Sequence, residues 1–169
     1  LGYRGSGKTC VGRALAAATG VEHVDTDELV VVRAGLTIQD LFESKGEPCF
    51  RDLEAAALED ALRWLGDRVI STGGGIVLRA SNRDLLARSG SHRLYLRCTP
   101  EVLHQRISRD VASKSSRPAL TSLGGGLEEV RQVLEQREPL YRAVATCELD
   151  VTRMDVASVV KAIEQLINA

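Results

Sequence analysis

Apolar residues recur every three to four positions along most of this chain, and short apolar runs interrupt that rhythm at intervals. The first rhythm is that of a helix buried on one face, and the second that of short buried strands. Val11, Leu15 and Ala18 predict an opening helix closed by Gly20. Val21–Val24 predicts a strand, followed by Asp25-Thr26-Asp27 and a helix that runs toward Arg33 and stops at Gly35. Thr37 is a candidate N-cap for a helix over Ile38–Ser44. A long helix is predicted over Glu47–Leu65, with Leu53, Ala57, Leu58, Ala61 and Leu62 as its apolar stripe. Arg68–Ser71 reads as a buried strand broken by Thr72-Gly73-Gly74-Gly75. Ser81 is placed as the cap of a helix ending near Arg88, and His92–Leu96 as a strand. Thr99-Pro100-Glu101 opens a helix that reaches about Arg109, with proline in its first turn. Leu127–Tyr141 is helical, Thr146–Val151 a strand and Val156–Ile167 a closing helix.

Strands alternating with helices predict an α/β fold, with a parallel sheet covered by helices on both faces. The expectation is one domain over 1–169, a three-layer α/β/α arrangement around five parallel strands. Two segments stand out as additions to that core: the helices of 26–65, and the polar, glycine-containing stretch 110–126. The second lacks periodicity, and a segment of this kind within a domain is typically a lid or disordered; it is assigned here as a lid.

The chemistry begins at Gly2-Tyr3-Arg4-Gly5-Ser6-Gly7-Lys8-Thr9, which fits the phosphate-cradling P-loop pattern. Its glycines let backbone N–H groups converge on phosphate oxygens, and the helix that follows turns its positive end toward the same anion. Gly5, Ser6, Gly7 and Cys10 belong to this cradle; Lys8 supplies a point charge, and Thr9 a hydroxyl for Mg²⁺. A P-loop ordinarily follows a hydrophobic strand. Only Leu1 precedes Gly2 and no initiator Met is present, so the first strand is expected to be largely missing from this chain.

Composition narrows the field. With 44% hydrophobic residues the chain has ample material for a core. A net charge of −1 speaks against general nucleic-acid binding, and 4% aromatics leave little for stacking bases. Cys10, Cys49, Cys98 and Cys147 are scattered, without metal-ligand spacing, and are expected to be buried free thiols in a reducing cytoplasm. No apolar run approaches the length of a membrane span.

A P-loop alone does not separate a kinase from other nucleotide hydrolases. Asp25 and Asp27 sit where the second strand ends, at the sheet edge where ligands of open α/β sheets bind. One suits a Mg²⁺ water and the other a substrate hydroxyl, although Asp27 also suits an N-cap. Arg51 and Glu54 are helical neighbours. They form either a surface ion pair or an arginine steadied for an anionic substrate. Gly73-Gly74-Gly75 allows a ligand close to backbone. Arg117-Pro118 lies in the lid, where an arginine suits transition-state charge, and Arg137 precedes Glu138-Pro139-Leu140-Tyr141 late in a helix; taken singly, each also reads as a solvated arginine.

Taken together, Gly2–Thr9, Asp25-x-Asp27, Phe50-Arg51-x-x-Glu54, Gly73-Gly74-Gly75, Arg117-Pro118 and Arg137-x-x-Leu140-Tyr141 resemble shikimate kinases in content and order, over the whole chain. The resemblance implies MgATP-dependent phosphorylation of the shikimate 3-hydroxyl in aromatic amino-acid biosynthesis, by a cytoplasmic monomer without nucleic-acid or membrane partners. It makes Asp27 the candidate base, Arg51 and Arg137 the grip on the carboxylate, and Gly74 and Gly75 the backbone facing the ring hydroxyls. Phe42 and Phe50 would wall the ring. Thr9 would hold Mg²⁺ directly and Asp25 through water. Lys8 and Arg117 would act on the phosphates, and Arg106, with Arg109 as the alternative, would lie against the adenine. Arg153 falls near the adenine pocket, but Arg153-Met154 departs from the family pattern, which often has a proline there. Two other readings compete. One is a kinase of the same architecture acting on another polyol acid such as gluconate. The other is a ligand-sensing module without turnover.

Overall fold

The computed structural model describes residues 1–110 and 126–167. The expected lid, and Arg117 within it, therefore fall almost wholly outside the described residues. In chain order the elements are α1 (Lys8–Thr19), β1 (Glu22–Asp25), α2 (Thr26–Ala34), α3 (Ile38–Arg63), β2 (Arg68–Ser71), a 3₁₀ turn (Ile76–Leu78) and α4 (Ala80–Arg88). They continue with β3 (Leu94–Arg97), α5 (Pro100–Arg109), α6 (Leu127–Val144), β4 (Cys147–Asp150) and α7 (Val156–Ile167).

The fold is α/β with parallel strands, as the alternation of elements requires. Among the described residues, however, the strands number four rather than five, in two separate pairs. β1 pairs with β2, placing Asp25 beside Ser71, and β3 pairs with β4, placing Arg97 beside Asp150. Between the pairs lies a cavity of about 730 Å³. Val69 and Ile70 of β2 line one side, Leu94 and Leu96 of β3 the other, with Val11 and Leu15 of α1, Leu58 of α3 and Ile163 of α7 closing it. Leu1 occupies one rung of this gap. Its nitrogen donates to Leu94 O at 2.7 Å and its carbonyl accepts from Leu96 N at 3.0 Å, a parallel pairing with β3.

The main apolar cluster joins Tyr3, Leu58, Tyr95, Leu103, Tyr141 and Val159. A second cluster, Val30, Ile38, Leu41, Phe50 and Ala57, lies between α2 and α3 and gives the 26–65 region a small core of its own. α3 is bent at Gly46 (φ 79°, ψ 169°), so the two helices expected over 38–44 and 47–65 are both present, separated by one non-helical residue. Thr37 caps the first half, accepting from Asp40 N at 3.1 Å.

Several local expectations need correction. Asp25, not Asp27, caps α2: its Oδ1 accepts from Asp27 N at 2.9 Å. Asp27 sits in the first turn, because the helix starts one residue earlier than its charge pattern suggests. Ser81 is not a cap, since α4 begins at Ala80 without a side-chain cap bond and Asn82 instead donates to Ile76 O at 3.0 Å. The cysteines are free but not uniformly buried: Cys98 is buried and Cys10, on the first turn of α1, is exposed. No helix among the described residues is long and apolar enough to cross a membrane.

Candidate active site

The P-loop supplies the first wall of the site. Gly7, the residue before α1, has φ 93°, a left-handed value that only glycine adopts readily. That conformation turns the chain so that the amide end of α1 faces the loop. Lys8 Nζ donates to Tyr3 O at 2.8 Å, folding the lysine back across its own loop. Thr9 Oγ1 donates to Asp25 Oδ2 at 2.8 Å. A hydroxyl and a carboxylate so close form an all-oxygen donor set suited to a hard cation such as Mg²⁺. Among the described residues no cluster of three His, Cys, Asp or Glu side chains exists, so the ion's remaining ligands would be phosphate oxygens and water.

The glycine run forms the second wall. Gly73 N donates to Thr26 Oγ1 at 3.0 Å, tying the end of β2 to the start of α2. Ser71 Oγ donates to Lys8 O at 3.1 Å, tying the same end to the P-loop helix. These glycines are demanded by crowding rather than by unusual φ. A Cβ on Gly73 would lie 2.6 Å from Asp27 Oδ1 and 2.8 Å from Glu54 Oε1. One on Gly74 would lie 3.3 Å from Arg4 N, and one on Gly75 would overlap the Arg51 guanidinium. Tyr141 Oη donates to Gly74 O at 2.5 Å, and Arg137 Nη1 to the same carbonyl at 3.4 Å, so α6 holds the loop from behind.

The third wall is α3. Arg51 Nη1 donates to Glu54 Oε2 at 2.7 Å, and Glu54 is buried. The pair is therefore not a surface ion pair. Burial raises the Glu54 pKa above the usual carboxylate range, against the pull of Arg51. Burial would lower the Arg51 pKa, but Glu54 and Glu47 together raise it. Phe42 and Phe50 pack with ring centroids 4.7 Å apart, and the Arg51 guanidinium lies 5.1 Å from the Phe50 ring centre.

All seven residues expected to touch substrate – Asp27, Phe42, Phe50, Arg51, Gly74, Gly75 and Arg137 – line one cavity. Arg4, Ile38, Glu54 and Gly73 line it too. Arg4 was invisible to motif reading because it fills a variable position of the P-loop pattern. Thr26, fully buried between two aspartates, carried no signal of its own, because polar neighbours on both sides hide a buried threonine in the sequence. On the nucleotide side, Arg106 Nη2 donates to Val151 O at 3.2 Å, which brings the end of α5 to the loop that carries Arg153. Arg109 and Arg153 are both exposed.

A P-loop whose backbone lies against a glycine-walled cavity lined by three arginines and two acids is a site for phosphoryl transfer to a small anion. Comparison with known proteins decides the family. A family model described as shikimate kinase matches residues 4–168. The chain belongs to the shikimate kinase family. It is 46% identical to the shikimate kinase of Oleidesulfovibrio alaskensis over 86% of this chain and 82% of that protein. It is 38% identical to that of Streptococcus gordonii over 95% and 96%. The solved shikimate kinase from Acinetobacter baumannii in complex with shikimate superposes with a TM-score of 0.87 at 34% identity, covering 98% of this chain and 89% of that one. A gluconokinase from Sinorhizobium meliloti shares only the fold, with a TM-score of 0.56 at 22% identity.

Two outcomes follow from this geometry. Gly73→Ala is expected to displace Asp27 or Glu54 and cut turnover by ~10²-fold, the cost of a misplacement of about 1 Å; unchanged steady-state kinetics would show that the loop has room to spare. The second concerns pH. As pH falls through the raised Glu54 pKa, the carboxylate takes a proton, and burial favours that neutral form. The fold therefore loses nothing through Glu54, while Arg51 loses its partner. The acid limb of kcat/KM for shikimate is expected to begin above the usual carboxylate range, with the folded state intact by circular dichroism, and to disappear in Glu54→Gln.

Proposed function

We propose that this chain transfers the γ-phosphoryl group of ATP to the 3-hydroxyl of shikimate, with Asp27 meeting that hydroxyl. The observation that supports this most is the single cavity shared by Asp27, Arg51, Arg137 and the glycine loop, abutting the P-loop. A monoanionic, polyhydroxylated ring needs an arginine grip, a carboxylate and bare backbone, and these residues supply all three. Arg51 and Arg137 hold the carboxylate; Gly74 and Gly75 face the hydroxyls, and Phe42 and Phe50 wall the ring. Asp27 orients the attacking hydroxyl and accepts its proton, a modest share of the work because phosphoryl transfer rests mainly on positioning and charge.

On the other side, Gly5, Ser6, Gly7 and Cys10 hold the phosphates through backbone N–H groups. Lys8 and Arg117 balance the charge that moves with the γ-phosphoryl group. Mg²⁺ arriving with ATP would be held by Thr9 directly and by Asp25 through water, and would neutralise phosphate charge. Arg106 lies against the adenine side together with Arg153; its bond to Val151 O, in the loop before Arg153, supports it over Arg109. Stretch 110–126 would close over the nucleotide as a lid. A monomer in the cytoplasm, meeting both substrates as small solutes, completes the reading.

The reading includes a complete three-layer core. We infer that the gap between β2 and β3 accepts an extended apolar stretch as a fifth parallel strand. Support comes from the cavity's apolar lining and from the Leu1 pairing already present. Appending such a stretch to Leu1 is expected to raise the thermal midpoint; an unaltered midpoint would count against a strand in that gap.

The activity itself is tested by coupling ADP release to shikimate addition in MgATP. Shikimate-dependent ADP release is expected; release with gluconate instead would support the polyol-acid alternative, and ATP binding without any release the sensing module. Asp27→Asn is expected to lower kcat by ~10²-fold with ATP affinity retained by titration; an unchanged kcat would remove Asp27 as base.

A further inference from the structure

The Arg51 guanidinium sits between two carboxylates that differ in their freedom to leave. Nη1 donates to Glu54 Oε2 at 2.7 Å. Nε and Nη2 both donate to Glu47 Oε1, at 3.1 and 3.0 Å. The Glu54 side chain is 1% exposed and the Glu47 side chain 58%. Glu54 is enclosed by the cavity wall. Glu47 is the first residue after the bend at Gly46 and has open water on its outer side.

The edge that Glu47 occupies is one that matters for binding. The Nε–Nη2 edge offers two parallel N–H donors, a geometry that matches an incoming carboxylate. The other sides of the guanidinium are taken: Glu54 engages Nη1, and Gly75 lies so close that a methyl there would overlap Nη1, Cζ and Nη2. The cavity is correspondingly narrow, about 60 Å³. A carboxylate ligand reaching Arg51 therefore has one partner that it can readily displace, and that partner is Glu47.

Charge points the same way. Glu47 sets a negative charge on the Nε–Nη2 edge of Arg51 while the cavity is empty. A monoanion replaces that charge when the cavity is filled, and a neutral polyol does not.

We propose that Glu47 is a specificity-determining residue that stands in for the substrate carboxylate, and that substrate binds by displacing it from the Nε–Nη2 edge of Arg51. This rests on the reading above that Arg51 grips the acid group of shikimate. The device filters ligands. Only an anion replaces what Arg51 loses when Glu47 swings out, so neutral polyols face the displacement cost without compensation. Because the Glu47 pair is mostly exposed, that cost is small, and it lowers apparent affinity without blocking it.

The test is Glu47→Gln, which keeps the shape and removes the charge at an exposed position. KM for shikimate is expected to fall by roughly two- to five-fold, the range set by an exposed ion pair, while KM for ATP stays where it was. Shikimate affinity measured by titration without nucleotide should rise by the same factor. An unchanged or higher KM for shikimate would overturn the proposal, since Glu47 would then be a bystander or a support for Arg51. Asp52→Asn serves as the control for general field effects, because Asp52 is an exposed acid one residue from Arg51 and pairs with Arg79. An equal fall in KM there would also overturn it. Arg51→Ala separates the two layers of inference. If it leaves KM for shikimate untouched, the carboxylate-grip reading fails; if it raises KM while Glu47→Gln does nothing, only the stand-in role of Glu47 fails.

Discussion

One carboxylate organises this molecule. Asp25 Oδ1 accepts from the backbone of Asp27 and so fixes where α2 begins, while Asp25 Oδ2 accepts from Thr9 and so fixes where α1 begins relative to α2. The residue is buried, so each bond forms away from competing water, where charge-assisted hydrogen bonds count for most. The nucleotide end and the substrate end of the site are thereby set by the two oxygens of a single side chain. Thr26, fully buried beside it, extends the same arrangement to the glycine loop through Gly73 N. Three elements well separated in the chain, the P-loop helix, α2 and the turn after β2, are held in register over the space where chemistry would occur.

The buried Arg51–Glu54 pair is the second constraint, and its purpose is positional. A buried ion pair is weak evidence of stability, because the desolvation of both partners offsets much of their attraction. Losing one partner is another matter, since an uncompensated buried charge costs about 3–5 kcal/mol. What the pair provides is an arginine whose head is held between Glu54 and the Phe50 ring. The second apolar cluster under α2 and α3 has the same effect at larger scale. It lets the substrate helices keep their own shape while remaining docked to the sheet edge.

The periodic segments were legible in sequence because their signal is local. A stripe such as Leu53, Ala57, Leu58, Ala61 and Leu62 declares a buried helix face without knowledge of its partner, and the helix is there. The cavity was legible for a different reason: seven residues drawn from α2, α3, the glycine loop and α6 were assigned to one site by the order of their motifs, and they do meet. What was not legible depended on contacts between distant segments. Arg4 carries no motif identity of its own. Asp25 and Asp27 exchanged the capping role because helix starts are set by which carboxylate can reach an amide, to within a residue. Ser81 lost its role because Asn82 turned back to Ile76.

Glycine use shows how the two levels fit together. A run of three glycines after a strand is, by composition, an entropic liability. In the folded protein each position is crowded from a different side: Asp27 and Glu54 at Gly73, the P-loop backbone at Gly74, the Arg51 head at Gly75. A side chain at any of the three would press on a wall of the site, and the Tyr141, Thr26 and Arg137 bonds hold that backbone in place. The same crowding accounts for why the cavity is narrow when empty. Groups that must surround a small anion closely are, without it, drawn onto each other, and a site built this way has to supply itself with a replacement charge until the ligand arrives.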